Sequence, residues 1–430
     1  MSRVVYLDHA ATTPVAPEVL EAMLPFLGRR HGNPSSVHGL GRDARNAVDS
    51  ARDELAGAIG AAHSEITLTG SGTEADNLAL RGVLDRHGAQ RGRHAVVSAV
   101  EHDAVLDTAR RLAEMGSVEV TLVACEESGA IDPERVAAAV RDDTALVSVM
   151  LVNNETGTLY DVRAIAEAVR RRNARTLLHC DAVQAFARLS VDVGALGVDL
   201  LSLSAHKIHG PKGVGALWVR RGVAVEPQIS GGGQERGRRS GTENVAGIVG
   251  FAAAARLTER ERETEQRRQG RLASRLVDLV GSAVPDTTVT GDATSRVAGF
   301  ATFAFAGTRS DLLLANLDGR GVCASGGSAC ASGAPTPSHV LLAMGLPPPL
   351  AAAALRLTTG RETGDDDVEF AAVAVARAVA QVRDAATTAT GWRSRAGSNR
   401  AGPGPPEPPG RPGWSPSTAA RGARTPARRR

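Results

Sequence analysis

Lysine is almost absent from this chain of 430 residues, although arginine is plentiful. Only two of the 50 basic residues are lysines, Lys207 and Lys212, and both lie in the segment Ser204-Ala-His-Lys-Ile-His-Gly-Pro-Lys-Gly213. Lysine can lose its proton and form Schiff bases, whereas arginine does neither. Codon bias, with two lysines remaining by chance, would explain the low lysine count but not why both lysines lie in one segment. The pair therefore favours a chemical role for this loop.

Cysteine is also scarce. The four cysteines, Cys125, Cys180, Cys323 and Cys330, include no C-x-x-C pair. In a large chain without a secretory signal, which is typical of a reducing compartment, cysteines stay as thiols. Neither Cys323 nor Cys330 has a histidine or cysteine at close zinc-ligand spacing. We therefore predict four free thiols and no metal site.

Long apolar runs and a recognisable export signal are lacking as well. No run reaches the roughly 18–20 residues needed to cross a bilayer. Residues 1–8 lack the apolar stretch and the cleavage site of a signal peptide. We expect a soluble, cytoplasmic protein without a membrane partner.

The net charge of +3 is distributed unevenly along the chain. Residues 391–430 contain nine arginines and one glutamate, a charge of +8, which leaves about −5 on residues 1–390. Nucleic acid is therefore not an expected partner of the fold, which lacks a basic excess. The tail has eight prolines and too little apolar surface to bury, so we predict that it is disordered. We favour a solvated extension without a function over an RNA-contacting role for this tail.

Short apolar strands alternate with helical segments over residues 15–255. Strand-like runs occur at 66–69, 94–97, 118–123, 145–151, 176–179, 200–204 and 215–219, and helical spacing occurs at 102–115, 133–141 and 161–172. This alternation is typical of an α/β fold with a mainly parallel sheet that is covered on both faces. In such sheets, ligands bind at the carboxyl ends of the strands.

The pattern changes beyond residue 245. A long helix-prone stretch at 245–280 precedes a strand at 297–305, a helix at 311–317, a loop at 321–333 and a strand at 355–358. This mixture predicts a smaller α+β domain. We place an N-terminal segment that packs with the small domain at 1–14, the large domain at 15–255, the small domain at 256–390 and the tail at 391–430.

Three polar segments follow predicted strands. Gly70-Ser-Gly-Thr-Glu-Ala75 could bind phosphate through helix N-terminal amides, although its spacing also fits a dinucleotide site or a simple tight turn. Asp181, with Gln184, could hold a pyridinium nitrogen protonated, or it could cap the next helix. His102 could stack on a ring or shuttle protons, or it could be structural. Each motif alone leaves these alternatives open.

Two glycine-rich loops lie further along the chain. Residues 231–242 are also rich in arginine, which suits an anion contact, a subunit interface or a flexible basic loop without a specific role. Cys330 lies among glycine, serine and alanine, whereas buried structural cysteines usually lie among apolar side chains. We therefore predict a reachable nucleophilic thiolate at Cys330 and a structural role for Cys323.

Together these segments resemble the cysteine desulfurases of the class V aminotransferases, over about residues 4–385. The motifs that carry the resemblance are Tyr6-Leu-Asp-His-Ala-Ala-Thr-Thr-Pro14, Gly32-Asn-Pro-Ser-Ser36, Thr73-Glu-Ala-Asp-Asn77, Asn153-Asn-Glu-Thr-Gly157, Asp181-Ala-Val-Gln184, Ser204-Ala-His-Lys207, Arg239-Ser-Gly-Thr242 and Gly327-Ser-Ala-Cys330. So many motifs in order make the dinucleotide interpretation untenable.

The resemblance implies a homodimeric, fold-type-I enzyme that uses pyridoxal 5′-phosphate (PLP). Lys207 would carry the cofactor covalently, Asp181 would pair with its pyridine nitrogen, and His102 would stack on its ring. Gln184 and Asn154 would lie near the phenolic oxygen of the cofactor. The phosphate would be held by Gly72, Thr73, Ser204 and His206, together with Thr242, which would come from the partner subunit.

The implied reaction converts L-cysteine to L-alanine and leaves the sulfur on Cys330 as a persulfide. Arg356 would bind the substrate α-carboxylate as a bidentate fork beside Asn154, and Lys207 would move protons. The long stretch between Cys330 and Ser338 resembles group I, the type that serves iron–sulfur cluster assembly and tRNA thiolation. His209 stands where group I often has tyrosine.

The sulfur acceptor would be an iron–sulfur scaffold or a tRNA-thiolation enzyme. The C-terminal segment with which some relatives dock a scaffold is not recognisable in this chain, so the sequence does not identify the acceptor. Two alternatives to the desulfurase remain: a PLP-dependent selenocysteine or cysteine lyase, for which Cys330 would matter less, and a non-catalytic scaffold with a PLP-enzyme fold. The presence of Lys207, Asp181, His102 and Cys330 argues against the scaffold.

Overall fold

The computed structural model describes residues 3–327 and 336–398. The chain divides into two compact units, Met1–Ala386 and Thr387–Arg430. The first unit contains all the sheets, and the described part of the second is the end of the last helix. Cys330 lies outside the described residues, as do residues 399–430 of the predicted tail.

Twelve helices are present in the described residues. They are α1 (Pro17–Leu27), α2 (Gly39–Ala58), α3 (Gly72–Arg91), α4 (Asp103–Glu114), α5 (Pro133–Ala139), α6 (Val162–Arg172), α7 (Val193–Leu196), α8 (Val245–Ala283), α9 (Ser310–Asp318), α10 (His339–Ala343), α11 (Pro348–Ala351) and α12 (Asp365–Ser398). Short 3-10 turns occur at His63–Glu65, Ala205–Lys207 and Glu235–Gly237. The last helix, α12, extends past residue 391, where the sequence predicts the start of the tail.

The strands of the described residues form three sheets. They are β1 (Val5–Tyr6), β2 (Ile66–Thr69), β3 (His94–Ser98), β4 (Glu119–Val123), β5 (Thr144–Ser148), β6 (Leu177–Asp181), β7 (Leu200–Ser204), β8 (Gly215–Val219), β9 (Thr287–Val289), β10 (Phe300–Phe305), β11 (Val322–Cys323) and β12 (Ala354–Thr358).

The largest sheet has seven strands in the order β2-β8-β7-β6-β5-β3-β4. Strand β8 is antiparallel to both of its neighbours, and the other pairs are parallel. All residues of β3, β5, β6, β7 and β8 are buried, as expected for strands covered on both faces. The predicted α/β class with a mainly parallel sheet is confirmed.

The strand predictions agree with the structure to within two residues at each end except at the end of β5 and at the start of β10, which begins at Phe300 rather than at residue 297. At β5 the apolar run suggested a strand to residue 151, whereas the strand ends at Ser148. Residues 149–151 stay buried, and the amide of Leu151 donates to the carbonyl of Asp181. Hydrophobicity indicates which residues are buried but not where the hydrogen bonds between strands end, so the sequence could not locate this boundary.

A smaller region follows the large sheet. Strands β12, β10 and β9 form an antiparallel sheet, and β1 pairs with β11 in parallel. The helix α8, predicted at 245–280, links the two regions. Its first half contributes Ile248 and Phe251 to the core of the large sheet, and its second half contributes Leu272 and Leu276 to the core of the small one. Within the described residues, none of the helices has both the length and the apolar character needed to cross a membrane.

A buried ion pair anchors the loop between β8 and α8. The two terminal nitrogens of Arg52, on α2, bind the carboxylate of Glu235 at 2.6 and 2.7 Å. The same carboxylate accepts from the amide of Leu68 at 2.8 Å. Glu235 and Arg236 both have positive φ angles, 50° and 58°, which side-chain-bearing residues rarely adopt. The ion pair therefore holds a strained turn in the loop that leads to Thr242.

Glu235→Ala is expected to lower the free energy of unfolding by about 3–5 kcal/mol, because it leaves the Arg52 guanidinium buried without its carboxylate. Urea denaturation followed by circular dichroism measures the change. Glu167→Ala is the control, because it breaks the exposed Arg163–Glu167 pair and should cost less than about 1 kcal/mol. Equal losses in the two variants would contradict this role of the buried pair.

Candidate functional site

A cavity of about 200 Å³ lies where the parallel strands of the large sheet end. The ends of β6 and β7 and the start of α3 border it. Nine of the predicted cofactor residues line it: Gly72, Thr73, His102, Asn154, Asp181, Gln184, Ser204, His206 and Lys207. The structure thus brings together residues that span 136 positions of sequence, from 72 to 207.

One end of the cavity is suited to bind an anion. Ser71 caps α3 by accepting from the amide of Glu74 at 3.0 Å. The helix itself begins at Gly72, so the amides of its first turn lie at this end of the cavity. A Cβ added at Gly72 would lie 2.9 Å from Val183 Cγ2 and 3.2 Å from Ser204 Cβ, so glycine keeps this end open. Ser204 Oγ is buried and has no hydrogen-bond partner among the described residues. Helix amides and an unsatisfied hydroxyl fit a phosphate group.

Lys207 lies on the wall of the cavity that the N-terminal segment builds. Its Nζ donates to the carbonyls of Ala10 and Ala11 at 2.6 and 2.8 Å. Gln184 Nε2 also donates to the carbonyl of Ala10, at 2.8 Å. The sequence could not reveal this wall, because backbone carbonyls carry no residue-type signal.

Two buried carboxyl groups lie in the cavity. Asp181 Oδ1 accepts from the amide of Val183 at 2.9 Å. Burial raises the pKa of Asp181, while the nearby His102 and Lys207 oppose the rise. Burial raises the pKa of Asp76 well above its usual range, and the negative charge of Asp181 adds to this effect. Asp76 is therefore the carboxyl that keeps its proton, and Asp181 is the one available to a cationic ring nitrogen.

The two cavity histidines are oriented by neighbours. His102 caps α4, and its Nδ1 accepts from the amide of Ala104 at 3.0 Å, which leaves Nε2 to carry the proton of a neutral ring. His206 Nδ1 lies 3.1 Å from Thr12 Oγ1. Burial, together with the charges of Lys207 and Lys212, lowers the pKa of His206 to about 4, so its ring is neutral at physiological pH.

Arg356, the predicted carboxylate ligand, lies on β12 and is buried. Its Nη1 donates to the carbonyl of Asn154 at 2.7 Å, and its Nη2 donates to Asp8 Oδ1 at 2.8 Å. Its Nε has no partner among the described residues, so the guanidinium keeps donor capacity for a further carboxylate. The sequence analysis did not identify Asp8, although it lies in a motif that carried the resemblance.

Two of the predicted site residues that the structure describes, Arg356 and Thr242, are not among the residues that line this cavity. Thr242 lines a neighbouring cavity with Gly70 and Arg239, so its role in the site of a partner subunit stays a prediction. Cys330 lies outside the described residues. The other three cysteines are free, none of them lines the cavity, and burial raises the pKa of each thiol: Cys125, Cys180 and Cys323.

Glu101, next to His102, is a third buried carboxyl near the cavity, and the sequence assigned it no role. Its Oε1 accepts from Ser98 Oγ at 2.6 Å and from the amide of Met150 at 2.7 Å. Its Oε2 is buried without a partner among the described residues. Burial raises the pKa of Glu101 to about 8, so the folded protein holds this carboxyl neutral below that pH. Through its bond to the Met150 amide, Glu101 holds in place a residue that lines the cavity.

Glu101→Gln is expected to remove a pH dependence of stability. The ordinary pKa of this carboxyl is 4.5 and the folded value is about 8, so the wild-type protein loses stability as the pH rises through this interval. Glutamine does not ionise, so the melting temperature of the variant relative to wild type should increase between about pH 5 and about pH 8. Glu263→Gln, on the exposed face of α8, is the control. A constant difference at all pH values would show that Glu101 does not titrate in this interval.

The aminotransferase class-V family model matches residues 5–370 of this chain. A protein named cysteine desulfurase IscS, from Dictyoglomus turgidum, is 40% identical over 393 residues, which cover 91% of this chain and 99% of the relative. The solved structure of a NifS-like protein is 34% identical with a TM-score of 0.82, and the match covers 88% of this chain and 99% of that one.

A second solved structure is described as SspA in complex with cysteine. It is 33% identical to this chain with a TM-score of 0.73, and the match covers 82% of this chain and 98% of that one. The similarity extends over almost the full length of each of these proteins. The fold of the cavity is therefore shared with proteins that carry the desulfurase name and with one that binds cysteine.

Proposed function

Because this chain belongs to the aminotransferase class-V family, we propose that it is a cysteine desulfurase in which Lys207 holds PLP and Cys330 receives the sulfur of L-cysteine. The activity agrees with the names of relatives that match over almost their full length. The observation that carries the assignment of residues is the convergence of Lys207, Asp181 and His102 on one cavity that has an anion-binding end.

The residues of the cavity fit PLP. The phosphate would lie at the start of α3, where Gly72 leaves room and Ser204 Oγ lacks a partner. Asp181 would face the ring nitrogen, and Asn154 Oδ1, which is also buried without a partner among the described residues, would lie near the phenolic oxygen. Lys207 would hold the cofactor covalently. Bound PLP would supply an electron sink for charge that develops at the substrate Cα.

The chain itself would orient the substrate and move its protons. Arg356 would hold the α-carboxylate, since a buried guanidinium forms strong, directional bonds to carboxylates. Lys207 Nζ would take the proton from Cα, because the cavity holds this amine close to the bound substrate. His102 would cover the ring.

Cys330 is the thiol best suited to accept the sulfur. The three described cysteines have raised pKa values and lie outside the cavity, which disfavours them as thiolate nucleophiles. The Cys330 thiolate would attack the substrate sulfur, a sulfur–sulfur bond would form, and the carbon–sulfur bond would break. Protonation of the carbon that loses sulfur would then give alanine.

The persulfide would serve iron–sulfur cluster assembly, tRNA thiolation or both, through an acceptor protein. The IscS name of the relatives and the resemblance of the cysteine segment to group I support this use. We further propose a homodimer, because Thr242 lines a cavity other than that of Lys207 in its own subunit and the resemblance assigns it to the cofactor site of a partner subunit.

The purified protein is expected to convert L-cysteine to equal amounts of alanine and, with dithiothreitol, sulfide. Cys330→Ala should abolish sulfide release, and Cys323→Ala is the matched control that should retain it. Turnover that survives in Cys330→Ala would indicate a lyase instead. A wild-type protein that binds no PLP would favour the non-catalytic scaffold.

Ser204→Ala is expected to weaken PLP binding by about tenfold or more, because one hydrogen bond to a charged phosphate is lost. Equilibrium dialysis of the apoprotein against PLP measures the dissociation constant. Ser202→Ala, on the same strand, is the matched control, since its hydroxyl lies against His179 rather than in the cavity. An unchanged dissociation constant in Ser204→Ala would place the phosphate elsewhere.

A further inference from the structure

We propose that Glu155 is a positioning residue that holds both ends of the segment bearing Cys330 at the wall of the cofactor cavity. The inference rests on the proposed function, because it assigns Glu155 a part in sulfur transfer to Cys330. Glu155 does not touch the cavity itself, and its predicted effect is exerted through Gly327 and Ser338, which flank residues 328–335.

Glu155 is a buried carboxyl with one partnered oxygen. It lies in the turn Asn153–Gly157 and is 3% exposed. Its Oε2 accepts from Ser338 Oγ at 2.5 Å, and its Oε1 is buried without a partner among the described residues. Its own amide donates to Asn153 Oδ1 at 2.9 Å, which fixes the turn. The carboxyl is therefore held rigidly, one residue from Asn154 in the cavity wall.

The end of the chain before the segment passes directly over this carboxyl. Gly327 has a φ of 99°, and a Cβ added there would lie 2.7 Å from Glu155 Oε2. The carbonyl of Gly327 accepts from Arg356 Nη1 at 3.2 Å, and the same nitrogen donates to the carbonyl of Asn154. Only a residue without a side chain fits between this turn and the carboxyl.

The end of the chain after the segment is held at the same place. Ser338 caps α10 by accepting from the amide of Leu341 at 3.1 Å, and the single proton of its hydroxyl goes to Glu155. The next residue, His339, donates from Nε2 to the carbonyl of Glu101 at 2.9 Å. Both ends therefore contact stretches that carry cavity residues, namely the turn with Asn154 and the stretch before His102.

A role for this arrangement follows from its geometry. A thiol that must reach a substrate held by Arg356 and Lys207 needs the ends of its segment at a fixed distance from both. Burial raises the pKa of Glu155, so a neutral side chain that still accepts the Ser338 hydrogen bond should be sufficient. Glutamine is therefore the conservative replacement, and alanine removes both the hydrogen bond to Ser338 and the side chain beside which Gly327 passes.

The test compares Glu155→Ala, Glu155→Gln and Ser338→Ala with the wild-type holoenzyme. We expect Glu155→Ala to lower kcat for sulfide release by about tenfold or more, because small displacements of a reacting group are costly. KM for L-cysteine and the absorbance change of the cofactor on adding L-cysteine should stay unchanged. Ser338→Ala should act in the same direction, and Glu155→Gln should restore kcat to within about threefold of wild type.

A second readout needs no turnover. Alkylation of Cys330 by iodoacetamide, followed by mass spectrometry of its peptide, should be faster in Glu155→Ala and Ser338→Ala than in wild type. Ser117→Ala is the control, because it removes a serine hydrogen bond to the carbonyl of Leu112, near the end of α4 and without a contact to either end of the segment. The rate of Cys330 alkylation in this control variant should match that of the wild-type protein.

The two readouts separate the inference from the proposed function. If the wild-type protein releases no sulfide but the alkylation rates differ as expected, the desulfurase assignment fails and the positioning of Cys330 stands. Wild-type alkylation and kcat in both Glu155→Ala and Ser338→Ala would overturn the inference. Loss of the cofactor absorbance change in Glu155→Ala would also overturn it, since Glu155 would then support the cavity and not the segment.

Discussion

A guanidinium that is buried in a protein keeps its charge, so its N–H groups must find acceptors within the fold. Arg356, 2% exposed, draws its acceptors from three separate stretches of chain: the carboxylate of Asp8, the carbonyl of Asn154 and the carbonyl of Gly327. Because β12 fixes this side chain, the three stretches are fixed with it. The N-terminal segment, the turn after β5 and the start of the segment with Cys330 therefore meet at one cation.

Asp76 and Asp181 line the cavity, Glu101 and Glu155 each precede or follow a residue that lines it, and the protonation of these carboxyls affects what the cavity can bind. Ionised carboxylates at this density would repel both a phosphate and the carboxylate of a substrate. Burial raises the pKa of Asp76, Glu101 and Glu155, so these groups favour the neutral form. Asp181 faces His102 and Lys207, which favour its ionised form. The two carboxyls that line the cavity therefore differ: burial and the neighbouring Asp181 both favour the neutral form of Asp76, whereas His102 and Lys207 oppose the effect of burial at Asp181.

The residues that the sequence predicted correctly as neighbours share one property. Asp181 ends a buried strand, His102 and Lys207 each follow one, and parallel strands bring their carboxyl ends to one edge. The residues that were missed act through partners far away in sequence. Asp8 and Arg356 are 348 residues apart, and Glu155 and Ser338 are 183 apart. Strand patterns describe one element at a time, so they do not reveal such pairs.

The N-terminal segment contacts a side chain from each of the two sheet regions, Lys207 and Arg356. Lys207 follows β7 of the large sheet, whereas Arg356 lies on β12 of the small one, and under the proposed function both would contact one amino acid substrate. Within four residues, this segment binds the guanidinium through Asp8 and the amine through the carbonyls of Ala10 and Ala11. Such a short stretch of backbone has little room to vary in length. It therefore sets the distance between the guanidinium of Arg356 and the amine of Lys207, the two groups that the proposed reaction assigns to the substrate carboxylate and to the proton at Cα.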